Sequence, residues 1–275
     1  MARGFTTFVL LTTVLYTIMP ETKQTKSCYG LIGYPLVHSF SRGYFNQKFQ
    51  SEGIDAEYIN FEIDDIGLLM EVISEHNNLN GLNVTIPYKE QVIPYMDEMD
   101  EDAAAIGAVN VIKFLWNDER TDFKLKGYNS DVIGFQNSLQ PILKPCHTRA
   151  LILGTGGAAK AVSQGLRNLG IAPQYVSRTK REGIITYEEI TAEIMESHLI
   201  IINTTPLGMY PKVDACPPIP YNLLTNDHIC YDLLYNPEET LFMRNSTKYG
   251  AIAKNGLEML LLQAFVSWQI WNDEY

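Results

Sequence analysis

Two short stretches hold the residues whose types and spacing could carry out proton chemistry. NVTIPYKE occupies 83–90, and KGYNSDVIGF occupies 126–135. We interpret Lys89 and Asp131 as a proton-transfer pair, because an ammonium group beside a carboxylate can hand a proton to a developing alkoxide. That chemistry suits a carbonyl or alcohol carbon.

Small polar residues surround this pair in both stretches. Asn83, Thr85 and Asn129 carry amide and hydroxyl groups of the kind that orient a polyhydroxylated substrate. The alternative is ordinary, since most lysines and aspartates are solvated or form surface pairs worth little. The order in which further motifs follow along the chain favours the functional interpretation.

A glycine-rich segment follows a predicted strand and opens a predicted helix. ALILGTGGAAKAV at 150–162 places Gly154, Gly156 and Ala159 in a GxGxxA pattern. Such glycines let a pyrophosphate approach backbone N–H groups at a helix N-terminus. A tight turn without a ligand is the alternative, but the strand, turn and helix context favours a dinucleotide site. The predicted contacts in this loop are Gly154, Gly156, Gly157 and Ala158.

The end of the next strand indicates which dinucleotide would bind. An acidic residue about 20 positions after the glycines would bind the ribose hydroxyls of NAD. This chain has Ser177, Arg178 and Thr179 there, with Arg181 nearby. A guanidinium and a hydroxyl suit the 2′-phosphate of NADP. Arginines on a solvated loop are the alternative.

With these motifs in this order, the chain resembles the shikimate dehydrogenase family over about 28–272. The resemblance implies reversible NADPH-dependent reduction of 3-dehydroshikimate to shikimate, a step toward chorismate and the aromatic amino acids. The family usually has Asn-Arg-Thr where this chain has Ser177, Arg178 and Thr179. That departure puts one polar contact in doubt but leaves the phosphate role of Arg178.

The resemblance also implies roles for residues outside these motifs. Ser39 and Ser41 would hold the substrate carboxylate, although helix capping is the ordinary role of such serines. The substrate contacts it implies are Ser39, Ser41, Asn83, Thr85, Asn110, Tyr235 and Gln263. The further cofactor contacts are Asn203, Thr204 and Gly256. Turn formation is an equal alternative for Asn203 and Thr204. Tyr235 could instead fill a wall of the cleft. The amide of Gln263 could instead bind a backbone partner.

The alternation of strand and helix patterns predicts an α/β protein with two lobes. We expect a substrate-binding domain at 28–129 that the C-terminal helix, 255–275, completes. A Rossmann-like NADP-binding domain would occupy 130–254. The last helix is apolar on nearly every side, which predicts burial between other elements.

Composition restricts the partners of the chain. A net charge of −11 repels nucleic acid and acidic membrane surfaces, so a small-molecule substrate is expected, and a homodimer is left open. Four widely spaced cysteines suggest neither a disulfide framework nor a metal site, which fits the cytoplasm. Residues 1–27 are expected to be a dispensable leader with Met19 as the true start, although the apolar run 5–19 also has the look of an export signal.

Two other functions remain as alternatives. A quinate/shikimate dehydrogenase of the same fold would use NAD, and the segment 177–181 argues against it. A noncatalytic dinucleotide-responsive regulator would keep the glycine loop but lose Lys89 and Asp131, and both are present.

Overall fold

The structure is a computed structural model that describes residues 26–36 and 39–275. The predicted leader therefore lies outside the described residues, except for Lys26 and Ser27. Ser27 is already the first residue of a strand that continues to Gly33. No helix in the described ranges combines the length and apolar character that a membrane crossing requires.

The first part of the described chain builds a mixed sheet. Its elements are β1 (Ser27–Gly33), α1 (Phe40–Glu52), β2 (Ala56–Glu62), α2 (Leu69–Glu75), β3 (Leu79–Val84), β4 (Glu98–Met99), α3 (Glu101–Ile106), β5 (Val111–Trp116) and β6 (Phe123–Tyr128). The strand order is β2-β1-β3-β5-β6-β4. β1 pairs in parallel with β2 and β3, whereas β5 runs antiparallel to both of its neighbours. Parallel strands bring the segments that follow β1 and β3 to one edge of the sheet.

The second part of the chain builds a parallel sheet. Its elements are α4 (Ser130–Leu139), β7 (Arg149–Leu153), α5 (Gly157–Asn168), β8 (Ala172–Ser177), β9 (Ile184–Thr186), α6 (Ala192–Ser197), β10 (Ile200–Asn203), β11 (Ile229–Asp232), α7 (Leu241–Lys248), β12 (Ile252–Lys254) and α8 (Leu257–Trp271). The order is β12-β11-β10-β7-β8-β9, and every pairing is parallel. Its central strands are buried, as helices covering both faces require. The α/β class predicted from the sequence is confirmed.

The helical segment between β9 and β10 is divided in two. Thr186 forms a capping box with Glu189 over a short 3-10 turn, and Thr191 then caps α6 by accepting from the Ile194 N–H. Each cap starts a new helical segment, because a cap residue itself has extended backbone angles. Helix α6, which follows these caps, is consequently only six residues long.

Helix α8 lies between other elements, as its apolar pattern predicted, but one stripe of it remains exposed. It packs against α4 and over β3 and β5, and Trp271 at its end is 6% exposed. Leu257, Leu261 and Phe265 lie four residues apart on the same helix and are 40%, 39% and 47% exposed. The apolar pattern predicted burial too broadly, because one stripe of α8 faces solvent.

Candidate active site

The predicted substrate residues lie around one cavity of about 330 Å³. The cavity is bordered by the segments that follow β1 and β3, by the start of α4 and by the first turns of α8. Its wall includes the nine residues proposed for catalysis and substrate binding: Ser39, Ser41, Asn83, Thr85, Lys89, Asn110, Asp131, Tyr235 and Gln263. These residues are spread over most of the described chain, and the fold brings them together.

Lys89 and Asp131 form an ion pair in the cavity wall. The Lys89 Nζ to Asp131 Oδ2 distance is 2.6 Å, and the side chains are 23% and 15% exposed. Asp131 lies in the first turn of α4, whose N-terminus favours a negative charge. Lys89 lies in the turn after β3, where its carbonyl oxygen accepts a 2.7 Å hydrogen bond from the Val109 N–H. The ammonium group donates one proton to Asp131 and keeps two for a ligand in the cavity.

The two cavity serines also begin a helix. Ser39 is the N-cap of α1, and its Oγ accepts from the Arg42 N–H at 3.4 Å. Ser41 lies in the first turn of α1, beside the hydroxyl of Tyr58. The capping role is therefore present in the structure, and the same helix start faces the cavity.

The amides of Asn110 and Gln263 are held by protein groups. Asn110 Oδ1 accepts from the Ser130 N–H at 2.7 Å, and its Nδ2 donates to Ser130 Oγ at 3.1 Å. Gln263 Nε2 donates to the Leu260 carbonyl at 3.0 Å, which is the backbone partner considered as an alternative. Both side chains still border the cavity.

Asn129 does not belong to this wall. Its Nδ2 donates to the Ala108 carbonyl at 2.9 Å, and its buried Oδ1 has no partner among the described residues. Asn129 is the N-cap of α4, so its backbone conformation sets the direction of the helical turn that carries Asp131. The expectation that its amide orients a substrate is not supported by this position.

The glycine loop has the form expected of a dinucleotide site. Gly154 follows β7 with φ of 117°, and a Cβ there would lie 2.7 Å from the Thr204 hydroxyl. Gly156 is the N-cap of α5, and a Cβ added to Gly156 or Gly157 would meet nothing within 4 Å. Gly156, Gly157 and Ala158 are exposed. The first turn of α5 thus presents unpaired N–H groups to an open surface.

The arginine segment lies at the end of β8, the strand beside β7. Ser177 Oγ accepts from the Thr179 N–H at 3.0 Å and donates to the Thr179 carbonyl at 2.6 Å. This turn leaves Arg178, Thr179 and Arg181 exposed. Among the residues that the structure describes, no carboxylate forms an ion pair with Arg178. The segment therefore offers cations beside the glycine loop.

Asn203 and Thr204 have partners within the protein. Asn203 is fully buried; its Nδ2 donates to Asp232 Oδ1 at 3.0 Å, and its Oδ1 accepts from the Thr205 hydroxyl at 2.6 Å. The Thr204 hydroxyl donates to the Leu153 carbonyl at 2.8 Å. Their side chains thus shape the turn after β10, the alternative considered from the sequence. Their role as cofactor contacts stays a prediction.

Gly256 borders the cavity and has a packing requirement that the sequence did not reveal. It precedes α8, and a Cβ there would lie 2.1 Å from the Leu233 carbonyl oxygen. Its N–H donates to the Leu234 carbonyl at 2.9 Å. The absence of a side chain lets the start of α8 lie directly against the segment that carries Tyr235.

Asp232 is a buried acid that sequence reasoning missed. It ends β11 and accepts hydrogen bonds from Thr240, Leu234 and Asn203. Burial raises the pKa of this carboxyl to about 6, although these three hydrogen bonds oppose the rise. A carboxylate at the end of a predicted parallel strand was the available signal, because polar groups at that edge often serve the site.

The raised pKa predicts a pH dependence of stability. The ordinary pKa of an aspartate carboxyl is 3.8, and that of Asp232 in the folded protein is about 6. At pH values between these two, the folded protein keeps the Asp232 proton that the unfolded chain releases. The folded state then binds more protons, so this contribution falls as pH rises through that window. We expect the difference in unfolding free energy between wild type and Asp232→Asn to fall by up to about 3 kcal/mol from about pH 4 to pH 6.5. Urea unfolding across this range measures it; a flat difference would contradict the assignment.

The fold and the site together define a two-sheet α/β protein of the Rossmann-like oxidoreductase class. The family model "Shikimate dehydrogenase substrate binding domain" matches residues 31–112. A shikimate dehydrogenase (NADP(+)) of Desulforamulus reducens is 35% identical over 90% of each chain. The chain belongs to the shikimate dehydrogenase family.

Solved structures have the same fold. A chorismate mutase/shikimate 5-dehydrogenase fusion protein from Clostridium acetobutylicum is 36% identical, with a TM-score of 0.77 over 91% of this chain and 92% of that one. Shikimate 5-dehydrogenase from Thermus thermophilus, solved in complex with NADP(H) and shikimate, is 27% identical, with a TM-score of 0.76 over 90% and 93%. The similarity therefore extends over nearly the whole of both chains.

Proposed function

We propose that this protein is an NADP-dependent shikimate dehydrogenase that interconverts 3-dehydroshikimate and shikimate on the route to chorismate and the aromatic amino acids. The observation that carries the proposal is the 2.6 Å Lys89–Asp131 pair in the wall of the cavity that the other predicted substrate residues border. Its relatives of similar length are named for this activity. The nine residues of the wall named above keep the catalytic and substrate-binding roles predicted for them from the sequence.

The residues fit an NADP molecule. Open glycines at the start of α5 suit a pyrophosphate, and exposed Arg178 and Arg181 beside them suit a 2′-phosphate. Bound NADPH supplies the hydride for the carbonyl carbon. The protein then has to provide a proton for the resulting oxygen.

Lys89 is the proposed source of that proton. Its ammonium group borders the cavity and retains two N–H donors beyond the one directed at Asp131. Asp131 orients the amine by accepting one of its protons at 2.6 Å. In the reverse direction the neutral amine would accept the proton from the hydroxyl of shikimate.

The domain division follows the two sheets. We assign 28–129 with 255–275 to substrate binding, because the strands of the first sheet end at Tyr128 and α8 packs over that sheet. Residues 130–254 form the proposed NADP-binding domain, whose last strand ends at Lys254. We also propose a cytoplasmic location, because the proposed reaction draws on cytosolic NADPH. Sedimentation would show whether the chain forms the homodimer that the sequence left open.

One assay tests the function and its rivals. The purified protein should oxidise NADPH with 3-dehydroshikimate, and should reduce NADP⁺ with shikimate much faster than NAD⁺ with shikimate or quinate. A preference for NAD⁺ and quinate would instead support a quinate/shikimate dehydrogenase. Absence of turnover with every pair would favour the noncatalytic regulator.

Cofactor choice has its own test at Arg178. We expect Arg178→Ala to weaken NADP⁺ binding by about 10- to 150-fold, because one charge-assisted contact contributes about 1.5 to 3 kcal/mol. NAD⁺ binding, which lacks the 2′-phosphate, should change little. Isothermal titration calorimetry measures both. Arg244→Ala, at another exposed arginine, is the matched control and should leave the binding of both cofactors unchanged. Equal weakening of NADP⁺ and NAD⁺ binding in Arg178→Ala would show that Arg178 does not contact the 2′-phosphate.

A further inference from the structure

The carboxamide of Asn83 is held on every side at the cavity wall. Its Oδ1 accepts from the Tyr58 hydroxyl at 2.7 Å. Its Nδ2 donates to Ser267 Oγ at 3.0 Å and to the Asn110 carbonyl at 3.3 Å. Asn83 is 6% exposed and Ser267 is fully buried, so these hydrogen bonds are shielded from water.

Two of these neighbours decide which end of the amide is the nitrogen. The Asn110 carbonyl can only accept, so the atom facing it must be N–H. Ser267 donates its single proton to the Gln263 carbonyl at 2.8 Å, and this leaves its oxygen to accept from Asn83 and from Ser130 Oγ, which lies 3.2 Å away. The amide oxygen then faces the Tyr58 hydroxyl, which donates to it.

This arrangement determines what Asn83 can offer a ligand. Both of its N–H protons are directed at protein oxygens, and only a lone pair on Oδ1 remains. Asn83 can therefore accept a hydrogen bond from a ring hydroxyl but cannot donate one to a keto oxygen. Lys89, in the same wall, has the opposite character because an ammonium group only donates.

We propose that Ser267 is a positioning residue that holds Asn83 as a hydrogen-bond acceptor, so that a substrate presents a hydroxyl at Asn83 and its keto oxygen at Lys89. This inference rests on the proposed function, since the ring oxygens are those of the proposed substrate. Ser267 acts through Asn83 and does not itself border the cavity. It lies 184 residues from Asn83 in sequence, on the terminal helix.

Removal of this hydroxyl should affect binding more than turnover. We expect Ser267→Ala to raise KM for 3-dehydroshikimate about 2- to 12-fold, the value of one neutral hydrogen bond, with kcat within about twofold of wild type. The matched control is Ser246→Ala, because Ser246 is also fully buried on a helix and donates to the carbonyl four residues earlier. KM should not change in that variant. An unchanged KM in Ser267→Ala would overturn the proposal.

A double-mutant cycle separates positioning from general packing. If Ser267 acts through the amide, Ser267→Ala should raise KM no further in an Asn83→Ala background. The same fold-change in both backgrounds would show that the hydroxyl acts by another route, and the proposal would be wrong. Tyr58→Phe removes the hydrogen bond on the other side of the amide and should also raise KM, so the proposal stays testable if Ser267→Ala does not fold.

A readout without turnover separates this proposal from the proposed function. In ¹⁵N-labelled protein, the side-chain amide protons of Asn83 should exchange with water at least about tenfold faster in Ser267→Ala than in wild type, since one of their two partners is lost. Equal exchange rates would overturn the positioning role. If the wild-type protein lacks turnover but exchange is still faster in Ser267→Ala than in wild type, the proposed dehydrogenase function is refuted and the positioning of the amide is supported.

Discussion

Replacing Lys89 with alanine should lower kcat for 3-dehydroshikimate reduction by about 10² to 10⁴-fold, the usual contribution of a general acid. KM should change much less, because Ser39, Ser41 and the amides of the cavity wall remain. A loss in kcat at nearly constant KM marks an interaction used mainly in the transition state. Steady-state kinetics with saturating NADPH measures both constants.

The partner of Lys89 allows a second, more specific test. Asp131→Asn should cause a similar loss, because the amide cannot stabilise the ammonium group as a carboxylate does. The two residues are in direct contact at 2.6 Å and should act as one unit. The double variant should therefore be far less impaired than the product of the two single losses.

A matched control uses another lysine of the same chain. Lys144 also pairs with an aspartate, Asp227, but on an exposed surface away from the cavity. Lys144→Ala should leave kcat and KM at wild-type values. Near-normal kcat with a raised KM in Lys89→Ala would make Lys89 a substrate contact, and the proposed mechanism would be wrong.

Replacing Trp271 with alanine should destabilise the protein by about 3–5 kcal/mol, the range for a large aromatic lost from a core. Its ring centroid lies 4.9 Å from that of Tyr29 and 5.3 Å from that of Phe45, and its Nε1 donates to the Ile112 carbonyl at 3.1 Å. The indole also fills the space left by Gly81, where an added Cβ would clash with Nε1. Trp271 thus packs the end of α8 against the first sheet, beside Trp268, whose ring centroid lies 5.4 Å from that of Tyr29.

Urea unfolding followed by circular dichroism measures this loss. Tyr275→Ala is a suitable control, since that aromatic residue is 58% exposed near the same chain end and should change stability by less than about 0.5 kcal/mol. Trp271→Phe should lie between the two, because it keeps most of the ring but loses the hydrogen bond. A loss below about 1 kcal/mol in Trp271→Ala would show that α8 is held mainly by its contacts with α4.

The sequence predicted features that depend on neighbours along the chain. The strand, glycine turn and helix at Gly154 were recognisable because a positive φ and an open helix start require glycines at fixed offsets. By contrast, the two N-caps that divide the helix near 190 were missed, since the apolar pattern continues across both.

Side-chain partners from distant segments could not be read from the sequence. The resemblance to the family named Asn83, Asn110 and Gln263 as substrate contacts, but not the buried Ser130 and Ser267 hydroxyls that hold these amides. Likewise, nothing local to Asn203 indicated that Asp232 would accept from its amide nitrogen. These hydrogen bonds join residues from different elements, so they exist only once the elements have packed.

The sequence by itself determined the α/β class and the glycine loop, because each depends on residue types at short spacing, and it predicted that Lys89 and Asp131 form a proton-transfer pair. The tertiary structure decided that Lys89 and Asp131 lie 2.6 Å apart and which atoms of Asn83 remain for a ligand. It also decided which stripe of α8 is exposed. The physical reason is that distances and hydrogen-bond partners between remote residues depend on how strands and helices pack, and local periodicity carries no information about that.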